Sequence, residues 1–226
     1  MKKEHAYQDL QRQILTLQLA PGDGLDEVNL AEKYAISRTP LREIFQRLAG
    51  EGYIEIISNR GAMVSSMDYK TIRNFFRTAP MIYVTIARLA TANTSREQLS
   101  ELQNAQDKFR ESVCRQDKEA MVLSNERFHR LIGVIANNPY LQPSYERLLI
   151  DHARISQTVF KLSSDAMIHY FEEAVDQHEA MIEYIAINDC ERMVAITQEH
   201  WELSRARMAR YMTPEPLPYD HAPFNA

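Results

Sequence analysis

The chain has 226 residues, 45% hydrophobic and 25% charged, with a formal net charge of −5. That length sets one large or two small globular units, and the composition argues against disorder. No apolar run reaches the ~18–20 residues of a membrane span. The start Met1-Lys2-Lys3-Glu4-His5 leads into an amphipathic stretch and not a signal core, so a cytoplasmic location is expected. Cys114 and Cys190 fit no metal or disulfide framework and read as reduced thiols. At face value the acidic total argues against a nucleic-acid partner.

Leu10, Ile14, Leu17 and Leu19 give 6–19 the spacing of an amphipathic helix. Ala20-Pro21-Gly22-Asp23-Gly24 is a turn. Asp26 caps a second short helix through Tyr34. Thr39 followed by Pro40 marks the start of a third helix, which packs Leu41, Ile44, Phe45 and Leu48 and stops near Gly50-Glu51-Gly52. Tyr53 to Ile57 reads as a strand, Ser58 to Gly61 as a turn, and Ala62 to Val64 as a returning strand. Three short helices and a β-hairpin make a winged helix-turn-helix pattern.

Five of the six glycines lie before residue 62. The glycine-poor remainder reads as an antiparallel bundle of about six helices, at 69–92, 95–115, 117–136, 138–160, 164–188 and 189–211. Thr94-Ser95-Arg96-Glu97 is a capping box for the second, and Asn138-Pro139 starts the fourth. The expected fold is mostly α. A winged helix-turn-helix unit occupies 1–67, an all-helical unit 68–212, and a proline-rich tail 213–226.

A recognition helix presents its first turn to the major groove, where arginine pairs with guanine edges or phosphate. Here that turn holds Ser37, Arg38, Thr39 and Arg42, with Arg60 and Gly61 at the wing tip. The same spacing also describes an ordinary solvated face. In the bundle, His129, His178 and His200 each fall in the apolar stripe of a different helix. Inward imidazoles must find partners. Each is satisfied separately in the core, or all three share a metal ion, with Asn125 one turn before His129 on the same face. His152 and His169 join no clear stripe and read as surface or partly buried.

Leu19-Ala20-Pro21-Gly22, Ile36-Ser37-Arg38-Thr39-Pro40-Leu41-Arg42-Glu43, Leu48-Ala49-Gly50-Glu51-Gly52-Tyr53 and Asn59-Arg60-Gly61-Ala62 resemble the DNA-binding unit of the GntR family of bacterial transcription regulators. The resemblance covers about 6–66. It implies that Arg38, Thr39, Arg42 and Gly61 contact DNA; Val28 stands where some members carry a DNA-touching arginine. Asn125-Glu126-Arg127-Phe128-His129, then His178 and His200, resemble the metal-ligand pattern of the FCD effector domain of the FadR subfamily, in its shorter VanR-type form. Members usually have aspartate at the position of Asn125, and glutamate where Met81 stands. The resemblance implies a divalent metal, zinc or nickel, held by Asn125, His129, His178 and His200. It also implies a small carboxylate effector near Arg77, with Arg154 as a second candidate, and a homodimer on double-stranded operator DNA.

The expected function is therefore a ligand-responsive transcriptional repressor and not an enzyme. A metalloenzyme on the bundle and a regulator with a metal-free pocket are the alternatives. No His-Glu-x-x-His motif is present. The acidic balance does not decide against DNA. Residues 1–67 hold eight basic and nine acidic residues, and most of the negative charge lies beyond residue 67.

Overall fold

The computed structural model describes residues 2–58, 61–162 and 165–212, with side chains described for all of these but 159–162, 165–168, 204 and 207–212. Arg60 and the proline-rich segment 213–226 lie outside the described residues. The N-terminal elements are α1 (Lys2–Leu15), β1 (Gly24–Leu25), α2 (Glu27–Tyr34), α3 (Arg38–Glu51), β2 (Ile54–Ile57) and β3 (Gly61–Val64). Leu10, Ile14, Leu41, Ile44 and Leu48 fill the space between the helices. The strands form an antiparallel sheet in the order β1-β3-β2. Ile54 faces Val64, and Gly24 faces Met63. The expected hairpin thus gains a third strand.

The Asp26 carboxylate accepts from the backbone N–H of Val28 and Asn29, at 2.7 and 3.1 Å, and caps α2. The start of α3 differs from expectation. Ser37 is the N-cap residue, though its side chain makes no cap bond, and Thr39 and Pro40 lie inside the first turn. The first intrahelical bond there is Leu41 N–H to Ser37 O. Proline costs nothing at the third helical position, because that N–H has no helical acceptor.

The bundle comprises α4 (Tyr69–Asn93), α5 (Arg96–Cys114), α6 (Lys118–Ala136), α7 (Gln142–Leu162), α8 (Asp165–Ala186) and α9 (Cys190–Met212). The capping box of α5 is Ser95 with Gln98, one residue later than expected. Thr94 instead donates its hydroxyl back to the Ala90 carbonyl on α4. Asn138 accepts from the N–H groups of Tyr140 and Leu141, so a turn occupies 138–141 and α7 begins at Gln142. Cys114 and Cys190 are free thiols. Among the described residues no helix is long and apolar enough to cross a membrane.

α7 packs against α4, α6 and α9 on one side and against α1 and α3 on the other. Every residue from 148 to 156 is therefore buried, polar ones included. The Arg154 guanidinium is fully buried; it donates to Asp151 at 3.1 Å and to the backbone carbonyl of Ser65. Ser65 in turn donates its hydroxyl to the Gly52 carbonyl, so α7 grips both ends of the β2–β3 hairpin. Gly52 is in the left-handed region, at φ 92°. A Cβ there would lie 2.5 Å from Cδ of Arg147. Gly52→Ala is expected to destabilise the fold by roughly 1–3 kcal/mol, from left-handed strain plus displacement of Arg147. Urea denaturation measures the loss; an unchanged midpoint contradicts it.

Candidate functional site

Ser37, Arg38, Thr39 and Arg42 are all exposed at the start of α3. Arg42 does not stand free. Its Nη2 lies 3.0 Å from Glu27 Oε2, and its Nε donates to both Glu27 oxygens. Farther along α3, Arg47 turns away, covers the Tyr7 ring at 3.6 Å and pairs with Glu51 at 3.1 Å. Gly61 opens β3 at φ 82°, with open space where a side chain would be.

The bundle interior holds the second candidate surface. His129 on α6, His178 on α8 and His200 on α9 are buried, with one ring nitrogen from each lying within 4.8 Å of the others. The Nε2 atoms of His129 and His200 are 3.3 Å apart. Second partners set the ring protons. Gln106 donates its amide N–H to the Val175 carbonyl at 3.0 Å, which can only accept. Its Oε1 therefore faces His178 Nδ1, at 3.1 Å, and that nitrogen carries the proton. His178 Nε2 is then a bare lone pair, buried with no hydrogen-bond partner among the described residues. His200 Nδ1 lies 2.7 Å from Oε1 of Gln177 in the same manner.

Aromatic packing holds the rings in place. Phe128 stacks on His178 at 3.9 Å between centroids, and Phe109 lies 5.0 Å from it. Gly133 leaves room for the Tyr145 ring against α6, and the Tyr145 hydroxyl donates to the His129 carbonyl at 3.0 Å. Imidazole nitrogens converging in the buried interior, with the opposite nitrogens of His178 and His200 hydrogen-bonded to glutamine oxygens, suit a divalent cation of the zinc type. The three buried histidines could hold such an ion. Asn125, one turn before His129 on α6, is half-buried.

Burial keeps these imidazoles neutral. It holds His129 and His178 well below the usual histidine range, and lowers His200 to about 3. His152 is lowered to about 4 by the same cause. In the unfolded chain all four titrate near 6.5. Their neutral burial therefore favours folding fully above pH ~6.5, and this contribution is lost as the pH falls from there toward the folded values. With chelator present, stability is expected to drop by on the order of 1 kcal/mol per histidine for the first pH unit below 6.5. Urea midpoints at pH 7.5, 6.5 and 5.5 measure the slope; a flat profile contradicts neutral burial.

His152 corrects the sequence reading. It is 3% exposed on α7, its ring centroid 6.1 Å from that of His129, and not at the surface. The run Asp151-His152-Ala153-Arg154 looks solvent-facing, but α7 is enclosed on all sides. His169 is exposed, as expected. Arg77 is exposed on α4. Arg154 donates from its two Nη atoms to Asp151 and Ser65, at the junction with the hairpin, and its buried Nε has no partner among the described residues.

A three-helix unit with a winged sheet, followed by a helical bundle with a buried histidine cluster, defines a winged helix-turn-helix protein with an all-α C-terminal unit. Two family models fit that division. The FCD domain matches residues 80–203, and the bacterial regulatory proteins of the gntR family match residues 2–64. The chain belongs to the GntR family of transcription regulators, in the branch that carries an FCD domain. It is 30% identical over 136 residues to the HTH-type transcriptional repressor RspR of Escherichia coli K12. That match spans 59% of each chain. The gluconate operon transcriptional repressor of Bacillus licheniformis is 24% identical, over 86% of this chain and 79% of the relative. Among solved structures, Escherichia coli McbR/YncC superposes with a TM-score of 0.78 at 20% identity, covering 94% of this chain and 99% of that one. It shares the fold.

Proposed function

We propose that the chain is a dimeric repressor whose affinity for operator DNA is set by a small organic acid bound beside a divalent metal in the bundle. Residues 1–67 form the DNA-reading unit, and 68–212 the effector and dimerisation unit. Ser37, Arg38, Thr39 and Arg42 read or brace the duplex, with Arg60 and Gly61 at the wing. His129, His178 and His200 hold zinc or nickel, with the Asn125 amide oxygen as a fourth donor. A bound ion supplies a Lewis-acidic anchor for a carboxylate. Arg77 is kept as an effector-side residue. Arg154, fixed at the base of the hairpin, acts as the link between the two units. The protein works in the cytoplasm.

One observation carries the reading. Three buried imidazoles each bring one nitrogen to one point, that of His178 with no partner among the described residues, and α7 runs from beside that point to the base of the wing. An effector that binds one arrangement of the two units better shifts the population toward it. Titrating an operator-length duplex at moderate salt, with zinc and then with chelator, tests it. Sequence-selective binding that changes with small organic acids supports the proposal; no selectivity over random duplex overturns it.

The Glu27–Arg42 pair leads to a separate expectation. Arg42 must exchange a carboxylate for a phosphate or base edge when DNA arrives. Glu27→Gln removes that competitor and one negative charge. It is expected to tighten random-duplex binding by about two- to fivefold at low salt and steepen the log–log salt dependence by up to about one unit. Fluorescence anisotropy across salt concentrations reads both; an unchanged slope contradicts it.

A further inference from the structure

His152 has no part in the ligand set above, yet it lies at the same centre. Its ring centroid is 6.1 Å from that of His129, at a tilt of 30°. Its Nδ1 is 3.1 Å from the Tyr83 hydroxyl. Tyr83 is itself buried, and His152 Nδ1 is its hydrogen-bond partner among the described residues. A buried O–H is costly without an acceptor, so Tyr83 donates and Nδ1 accepts. The proton of a neutral ring then sits on the opposite nitrogen. His152 Nε2–H is thus a buried donor, and it has no partner among the described residues. Two of the clustered rings are arranged the other way round, with glutamine oxygens taking up the Nδ1 protons of His178 and His200 so that their Nε2 atoms carry the lone pair.

We infer that His152 is the selectivity residue for the effector, donating from Nε2 to an anionic oxygen of a carboxylate held at the three-histidine centre, and that Tyr83 fixes the tautomer which makes it a donor. The inference rests on the metal-centred reading above. Nitrogen–metal bonds of about 2.0–2.1 Å set the ion only a short way beyond the triad nitrogens. The His152 ring centroid is 6.1 Å from that of His129, close enough for its donor to reach an oxygen bound to such an ion. The chemistry favours ligands with two acceptor oxygens on one carbon. It disfavours protonated amines, which offer a donor no acceptor.

Visible absorption of the cobalt-loaded full chain provides the test, with cobalt alone and then acetate as probes. Cobalt binding is expected to be equal in wild type, His152→Phe and His152→Gln. Acetate is expected to perturb the wild-type spectrum saturably. In His152→Phe the acetate midpoint rises by about tenfold or more, as for loss of a charge-assisted hydrogen bond. In His152→Gln, which keeps an N–H near the same place, it stays within about threefold. Tyr83→Phe, which frees the tautomer without touching the ring, weakens acetate by a few-fold and decides the matter if His152→Phe does not fold. An acetate midpoint unmoved in His152→Phe or Tyr83→Phe, or no acetate response in cobalt-loaded wild type, overturns the inference. A tenfold loss of cobalt affinity in His152→Phe also overturns it, since His152 is then a ligand. Failure of wild type to bind cobalt at all overturns the metal-centred reading itself.

Discussion

Replacing His178 with phenylalanine is expected to raise the zinc dissociation constant by about 100-fold or more, while the bundle stays folded. Outer partners of metal ligands already cost ~10–100-fold when removed, so loss of a ligand exceeds that range. The phenylalanine ring keeps the stack on Phe128 and the contact with Phe109. It also removes a buried nitrogen that has no partner. The readout is thermodynamic. At a free zinc concentration of 100 times the wild-type dissociation constant, zinc stabilises the folded chain by about 2.7 kcal/mol. That increment is expected to fall to about 0.4 kcal/mol or less in the variant, measured as a zinc-dependent shift in the urea midpoint. A variant that keeps the wild-type shift shows that the histidines are satisfied separately and share no ion.

Arg38→Ala is expected to weaken specific duplex binding by about 10- to 100-fold, the ~1–3 kcal/mol of one good base or phosphate contact. The physical case for Arg38 is stronger than for Arg42. Arg38 is the first residue of α3, beside unpaired backbone N–H groups that attract anions. Arg42 already has a carboxylate partner in Glu27, so much of its gain on binding is an exchange. Arg42→Ala should therefore cost several-fold less than Arg38→Ala. Anisotropy titrations on matched and random duplexes separate the roles. Loss on both duplexes alike marks a phosphate contact, and loss on the matched duplex alone marks a base contact. Wild-type binding by Arg38→Ala removes it from the interface.

The long periodic elements and the three clustered histidines were legible because burial on one face leaves a stripe. His129, His178 and His200 recur in register with isoleucines and valines, and the helices bring those stripes together. The parts that were not legible lack such a stripe. β1 is two residues long, too short for any alternation, and exists only through pairing with Ala62 and Met63. The start of α3 was read from Thr39-Pro40, but proline is compatible with three successive positions of a first turn. His152 reads as surface or partly buried in the sequence because α7, covered on every side from 148 to 156, leaves no stripe there. Its neighbours Asp151 and Arg154 carry the polarity of a surface and the burial of a core. Only the meeting of α7 with α1 and α3 makes that possible, and no local pattern announces a contact between distant segments.

The grip of α7 on the hairpin limits how the two halves of such chains can be recombined. Arg147 needs a residue without a side chain at Gly52, and Arg154 needs the Ser65 carbonyl. A foreign DNA-reading segment grafted onto this bundle would carry over helices and wing intact. If it brought a bulky residue to the first position, or a turn that hid the carbonyl at the second, the graft would strand a buried guanidinium. The boundary between the halves is thus a fitted joint whose two surfaces must change together, and truncating Arg147 is expected to relieve the clash of a side chain at 52 while its left-handed strain remains.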